Sequence, residues 1–141
     1  MRVFFVSVVL FFTVSSAVFA EVPEVPTELI QALIQQESTN NDYAIGDKNL
    51  KNHAYGPLQV RKPVIEDVNR RHGTNYRAED CLGNRDLSIK ILHLYVAIYA
   101  TQKRLGRKPT PEDLARIWNG GPNGYKKEVT VKYWRKVQEY L

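Results

Sequence analysis

Cys81 is the only cysteine in this 141-residue chain, so no internal disulfide can form and the fold must rest on its hydrophobic core alone. The chain has the material for one. Hydrophobic residues make up 43% of it and charged residues 25%, the balance of an ordinary globular domain rather than a disordered chain. No segment repeats at a fixed period and no low-complexity tract interrupts the sequence, which excludes a solenoid. One domain is expected. The lone thiol has no neighbouring cysteine or histidine cluster, so it is expected to be buried, and neither a metal nor another cofactor is expected.

The first twenty residues, MRVFFVSVVLFFTVSSAVFA, hold one charge at Arg2, then an uncharged apolar run, then small residues ending at Ala20. That order is the order of a cleaved secretory signal. The alternative is an uncleaved anchor, since the stretch from Val3 to Ala20 is near the lower limit for crossing a bilayer. Cleavage is favoured because Ser15, Ser16 and Ala17 resemble a processing site and no basic cluster follows. The expected organisation is a signal at 1–20, a linker at 21–27 and one domain at 28–141. The expected location is outside the cytoplasm, in the periplasm or cell-wall compartment, with no stable membrane insertion after cleavage. Residues 1–20 take one arginine and no acid from a net charge of +5, which leaves a mildly basic domain suited to an anionic polymer.

Downstream, the apolar pattern is helical. Thr27 can cap a helix that carries Glu28 in its first turn and Leu29, Ile30, Leu33 and Ile34 at helical spacing. Pro63 can open a second helix that Gly73 ends. The longest helix is predicted over about Arg85 to Leu105, with Gly106 as its stop. In TPEDLARIW, Thr110 is a cap, Pro111 the first helical residue, and Glu112 and Asp113 fill the first turn. A last helix starts near Thr130. No convincing alternating strand occurs, so the class is all-α, with at most a small β-hairpin in the irregular segment from Thr39 to Leu58.

Glu37 stands out within this pattern. It lies three residues after Ile34 and four after Leu33, so it shares their buried face, and the helix then dissolves into turn-formers. A helix that fixes a carboxyl beside an irregular loop leaves room for substrate. A carboxylic acid in a partly apolar groove has its pKa raised, so it can stay protonated and donate to a glycosidic oxygen. Tyr55, Gln59, Trp118, Asn119, Tyr125, Tyr133 and Trp134 add flat rings and amides of the kind a saccharide groove needs.

Other chemistries find less support. His53, His72 and His93 have no partners at metal-ligand spacing; His93 reads as a helix-packing residue and the others as solvated. Ser38 has no histidine and acid in a recognisable order. No strand precedes a glycine-rich phosphate loop. Basic residues are scattered rather than set in a recognition helix, so no nucleic-acid partner is expected.

Together, ES at 37–38, AYGPLQV at 54–60, IWNGGP at 117–122 and Tyr133 in the last helix resemble the soluble lytic transglycosylase catalytic domain of the lysozyme-like superfamily. The resemblance covers roughly Leu29 to Tyr140. It implies a lysozyme-like helical fold with a substrate groove, peptidoglycan glycan strands as partner, and a monomer. Residue by residue, it implies that Glu37 is the catalytic acid and then base. Ser38 would orient the sugar or the glutamate, Gly56 would allow close backbone approach, and Gln59 would contact the groove. Asn119 matches the asparagine of the family's aromatic-asparagine-glycine motif, and Tyr133 the tyrosine near the glutamate. Two departures touch subsite detail: Pro57-Leu58 replaces the family's leucine-methionine pair, and Trp118 stands in a tyrosine's place.

The implied reaction cleaves the β-1,4 bond between N-acetylmuramic acid and N-acetylglucosamine and leaves a 1,6-anhydromuramic end. The second reading is a hydrolytic muramidase in which Asp47, or the nearer Asp42, holds a water; turn chemistry is the favoured explanation of both aspartates. The third is a glycan-binding module that does not cut.

Overall fold

The computed structural model describes residues 22–141; the expected signal lies outside the described residues. Helix α1 spans Thr27–Ser38 and buries Leu29, Ile30, Ala32, Leu33 and Ile34. Its cap differs from expectation. Pro26 takes the capping position, its carbonyl accepting from Ile30 N at 3.1 Å, and Thr27 is already helical, with no side-chain cap bond. The proline ring fixes φ at a value compatible with that role and leaves the threonine hydroxyl without it.

The irregular segment contains strands β1 (Ile45–Gly46), β2 (Ala54–Tyr55) and β3 (Val60–Arg61) in an antiparallel sheet of order β1-β2-β3. The expected hairpin therefore gains a third strand. Each strand has two residues, too few to print an alternating pattern on the sequence. Helix α2 (Lys62–His72) follows, with a proline in its first turn and Gly73 at φ 65 as its stop. A 3-10 turn at Ala78–Cys81 leads to α3, Arg85–Tyr99, whose first turn is capped by Asn84 accepting from Leu87 N.

The long helix expected to reach Leu105 is broken. Helix α3 ends at Tyr99, and a short α4, Gln102–Leu105, restarts where the Thr101 side chain accepts from Arg104 N. A threonine that caps a new first turn draws the backbone out of the old helix. Helices α5 (Pro111–Gly120) and α6 (Val129–Gln138) complete the chain, joined through a 3-10 turn at Gly124–Lys126. The core forms where α1, α3, α5 and α6 meet: Leu33, Ile34, Ile91, Leu92, Ile117 and Val137 are fully buried, each worth about 1.5–3 kcal/mol of transfer free energy. Leu58 and Val60 pin the sheet to that core, and Cys81 is buried there.

The α5 entrance carries the strongest local polar network. Thr110 N donates to Asp113 Oδ2 at 2.8 Å, Asp113 N donates to Thr110 Oγ1 at 3.3 Å, and Arg107 grips both carboxylate oxygens at 2.6 and 2.9 Å. Burial alone would raise the Asp113 pKa, but the Arg107 and Thr110 donors outweigh it and hold the carboxyl below its usual range. Such a group stabilises the fold above its unfolded pKa, and that stability is lost as pH falls through the lower folded value. Asp113→Ala is expected to lose about 2 kcal/mol at neutral pH. In urea titrations the gap from wild type should narrow as pH falls below the ordinary aspartate value.

Candidate active site

Glu37 occupies the last turn of α1, and the chain leaves the helix through two consecutive left-handed residues, Thr39 at φ 53 and Asn40 at φ 63. The departure is held locally. Ser38 Oγ donates to Ile34 O at 3.1 Å and accepts from Asn41 N at 3.2 Å. The Ser38 hydroxyl is thus engaged in ending the helix, which is one explanation of its place beside Glu37. The next loop is clasped to the start of α3: Gly83 N donates to Asp42 O at 2.8 Å, and Arg85 pairs with Asp42 at 2.6 Å and donates to Asn40 Oδ1 at 2.9 Å.

Tyr133 reaches Glu37 from α6, its hydroxyl donating to Glu37 Oε1 at 2.6 Å across 96 positions of sequence. Helices α1 and α6 pack together in the core, which fixes both ends of this bond. The Glu37 carboxyl is pushed up from its ordinary 4.5 to about 7. Desolvation is the main cause; the Tyr133 hydrogen bond and the Arg61 charge pull the other way, and the Asp47 charge adds to the rise. Burial also raises the Tyr133 hydroxyl well above its ordinary value, reinforced by the Glu37 charge, so it stays a donor. Because Tyr133 donates to Oε1, the proton of the neutral carboxyl belongs on Oε2. Tyr133→Phe removes a donor that favours the ionised form, so Glu37 is expected to titrate about 1 unit higher, as measured by NMR of carboxyl-labelled glutamate.

The turn between β2 and β3 carries two further candidate residues. Gln59, at φ 50, sends Nε2 to Gly56 O at 2.9 Å and to Ala44 O at 3.3 Å. Its amide oxygen lies over Gly46, where any Cβ would collide with it. Gly56 is buried at φ +75, donates its N–H to Ala44 O at 2.9 Å, and would drive a Cβ into the Cys81 carbonyl. Both residues tie the sheet together internally; the close backbone approach expected of Gly56 is made to Cys81 within the protein.

Trp118 was expected among the groove aromatics and lies instead in the core. It is 7% exposed, with its ring edge-on to Tyr95 at 5.9 Å between centroids. Asn119, one residue further along α5, is exposed. Arg61 is the residue absent from the sequence reading. It pairs with Asp47 at 2.8 Å, and both charges bear on Glu37. Only strand register could have announced it: Arg61 and Gly46 flank Ala54 on one face of the sheet.

A separate cavity of about 350 Å³ lies on the side of the sheet that Tyr55 faces, between α2 and the turn at 76–79. Neither Glu37 nor Tyr133 lines it. Among the described residues, no three His, Cys, Asp or Glu side chains gather as a metal site requires, and no helix is long and apolar enough to cross a membrane.

A helical domain with a small antiparallel sheet beside a glutamate at a helix end defines a lysozyme-like fold. Solved structures share it: the chain aligns with Tapes japonica lysozyme at a TM-score of 0.69 and 23% identity, over 86% of this chain and 94% of that one. Inhibitor-bound lysozyme from Meretrix lusoria matches at the same score and identity, over 82% and 89%. The protein belongs to the transglycosylase SLT domain family, whose model matches residues 17–141. Among curated relatives, an invertebrate-type lysozyme of Ruditapes philippinarum is 32% identical over 84 residues, 60% of this chain and 58% of that protein. Lysozyme 1 of Crassostrea virginica is 38% identical over 60 residues, 43% of this chain and 32% of that protein. The matched region spans between about a third and three fifths of these relatives' own length.

Proposed function

We propose that residues 28–141 form an exported peptidoglycan lytic transglycosylase, monomeric and acting in the periplasm or cell-wall compartment. The observation that carries this reading is the Tyr133–Glu37 hydrogen bond around a carboxyl pushed up to about 7. Such an acid is substantially protonated at neutral pH and still ionises readily, as one group serving as acid and then base must.

Glu37 protonates the oxygen that leaves as the β-1,4 bond between N-acetylmuramic acid and N-acetylglucosamine breaks. The substrate's acetamido group stabilises the positive charge developing at C1. The Glu37 carboxylate then takes the proton of the C6 hydroxyl, and that oxygen closes onto C1. The proton is returned, no water is consumed, and the product carries a 1,6-anhydro ring. Tyr133 keeps the carboxyl oriented through both steps. Asn119, exposed on α5, is the amide assigned to the sugar in this reading, while Ser38, Gly56 and Gln59 support the neighbouring loop and sheet through internal hydrogen bonds.

A specific observation also favours the hydrolytic reading. Asp47 sits in the loop beyond Glu37 and bears on it electrostatically, and the curated relatives are called lysozymes. A hydrolase would use that second carboxylate on water. Mass spectrometry of muropeptides released from purified peptidoglycan separates the two. Anhydro ends support the transglycosylase; reducing ends would transfer the assignment to a muramidase. Binding of glycan with no release by the wild type would leave a binding module.

A further inference from the structure

The cavity between α2 and the turn at 76–79 has no task in the reaction above. Its walls come from three elements. Lys62, Ile65, Glu66 and Asn69 stand three or four residues apart along α2, so they share the helical face turned to the cavity. The chain from Tyr76 to Glu79 forms the second wall, and the loop before β2 supplies the third with Lys51, His53 and then Tyr55. Two of these walls are clamped together. Asn69 Nδ2 donates to Tyr76 O at 2.9 Å, and its Oδ1 accepts from Tyr76 N at 3.0 Å and from Thr74 Oγ1 at 2.8 Å. A cavity ordered before anything enters it loses little freedom on binding.

Inside, the surface is apolar and aromatic: Ile65 and Ala78 are buried, and Tyr55, Tyr76 and His53 half-buried. Charge surrounds it. Lys62 pairs with Glu66 at 3.6 Å and Arg77 with Glu79 at 3.8 Å, both near the limit of ion-pair distance and with all four side chains more than half exposed. Such pairs are worth little and leave their members free to meet a ligand. Lys51 is exposed and forms no ion pair among the described residues, so three cations face two acids around the cavity. Both ends of the Asn69 amide are already bonded, and charged side chains therefore dominate what the lining offers. At about 350 Å³ the cavity lies at the small end of ligand sites, the size for a few linked residues rather than a polymer.

We propose that this cavity binds the stem peptide of peptidoglycan through its free carboxylates, with Lys51 and Arg77 as the receiving cations. The inference rests on the reading of peptidoglycan as substrate. In that polymer the N-acetylated sugars are uncharged, and the ionised groups belong to the short peptides hung on muramic acid. A neutral sugar leaves the charged rim unserved. A stem peptide brings carboxylates to Lys51 and Arg77, an ammonium to Glu66 or Glu79, and alanine methyl groups to Ile65 and the tyrosines. Holding the polymer by its peptide as well as its glycan raises the local concentration of glycan at Glu37.

The test is binding, read without turnover by amide NMR and calorimetry. The probe is N-acetyl-L-alanyl-γ-D-glutamyl-L-lysyl-D-alanine, which carries two carboxylates and one ammonium; chitotriose is the neutral sugar compared with it. The peptide is expected to move signals from 51–55, 62–69 and 76–79 and to leave those of Glu37 and Tyr133 in place. Lys51→Glu and Arg77→Glu should each weaken it about 10-fold at low salt, and so should amidation of both peptide carboxylates. Both side chains are exposed, so the variants keep their fold. Arg77→Lys should keep most of the affinity.

No shifts, shifts at Glu37 and Tyr133 instead, or equal affinity for the amidated peptide would overturn the proposal. Chitotriose moving the cavity signals when the peptide does not would overturn it in favour of a sugar site. Muropeptide release by a wild type that does not bind the peptide would overturn the site alone. Peptide binding by a wild type that releases nothing would uphold the site while refuting the catalytic reading.

Discussion

Glu37→Gln is expected to lower muropeptide release by about 10³-fold or more, the scale of a removed general acid, while making the folded protein more stable above pH 7. The two signs together are diagnostic. A carboxyl whose folded pKa is raised from 4.5 to about 7 favours the fold most below its unfolded value. That contribution is lost as pH rises through 7, because burial opposes the charge. Glutamine keeps an oxygen to accept from Tyr133 and carries no charge to bury, so the variant should gain about 3 kcal/mol at pH 8 and about none at pH 4. Thermal or urea unfolding at the two values checks the gain. A variant that lost both activity and stability at pH 8 would point instead to a structural role for the glutamate.

Gly56→Ala should cost about 3 kcal/mol or more of stability. Two causes coincide at one position. The backbone is at φ +75, which an L side chain rarely adopts, and the new Cβ points into the Cys81 carbonyl, a backbone atom that cannot step aside without moving the 3-10 turn. The same shift would loosen Gly56 from Ala44 and Gln59, and with them the sheet beside the acid. Urea denaturation at neutral pH measures it. An alanine variant of unchanged stability but weakened glycan binding would give Gly56 back the substrate role that the family resemblance implies.

Glu37 was legible in the sequence because a carboxylate on an apolar helical stripe conflicts with the local pattern, and such a conflict marks function or strain. Its partner was legible only through resemblance, since nothing within a helical turn of Tyr133 points 96 residues back to α1. Trp118 was misplaced although the needed signal was present. Leu114, Ala115 and Ile117 are buried on the same helix, and the tryptophan stands four residues from the first and three from the second, on the core stripe. Its closeness to a chain break outweighed its spacing. Arg61 was invisible because two-residue strands carry no periodicity, and its meaning depends on a register that turns and long-range pairing set. The break between α3 and α4 was hidden for the opposite reason: the apolar stripe runs across it to Leu105, while a single threonine decides where the backbone restarts.

The bond from Tyr133 to Glu37 joins the first described helix to the last. Its sequence separation dictates a timetable. During synthesis from the amino end, Glu37 is made 96 positions before its partner. Until α6 docks against α1, Glu37 lacks both the phenol that orients it and the surface that desolvates it. The carboxyl therefore comes to its raised pKa only after α6 has docked on α1, however early its own helix forms.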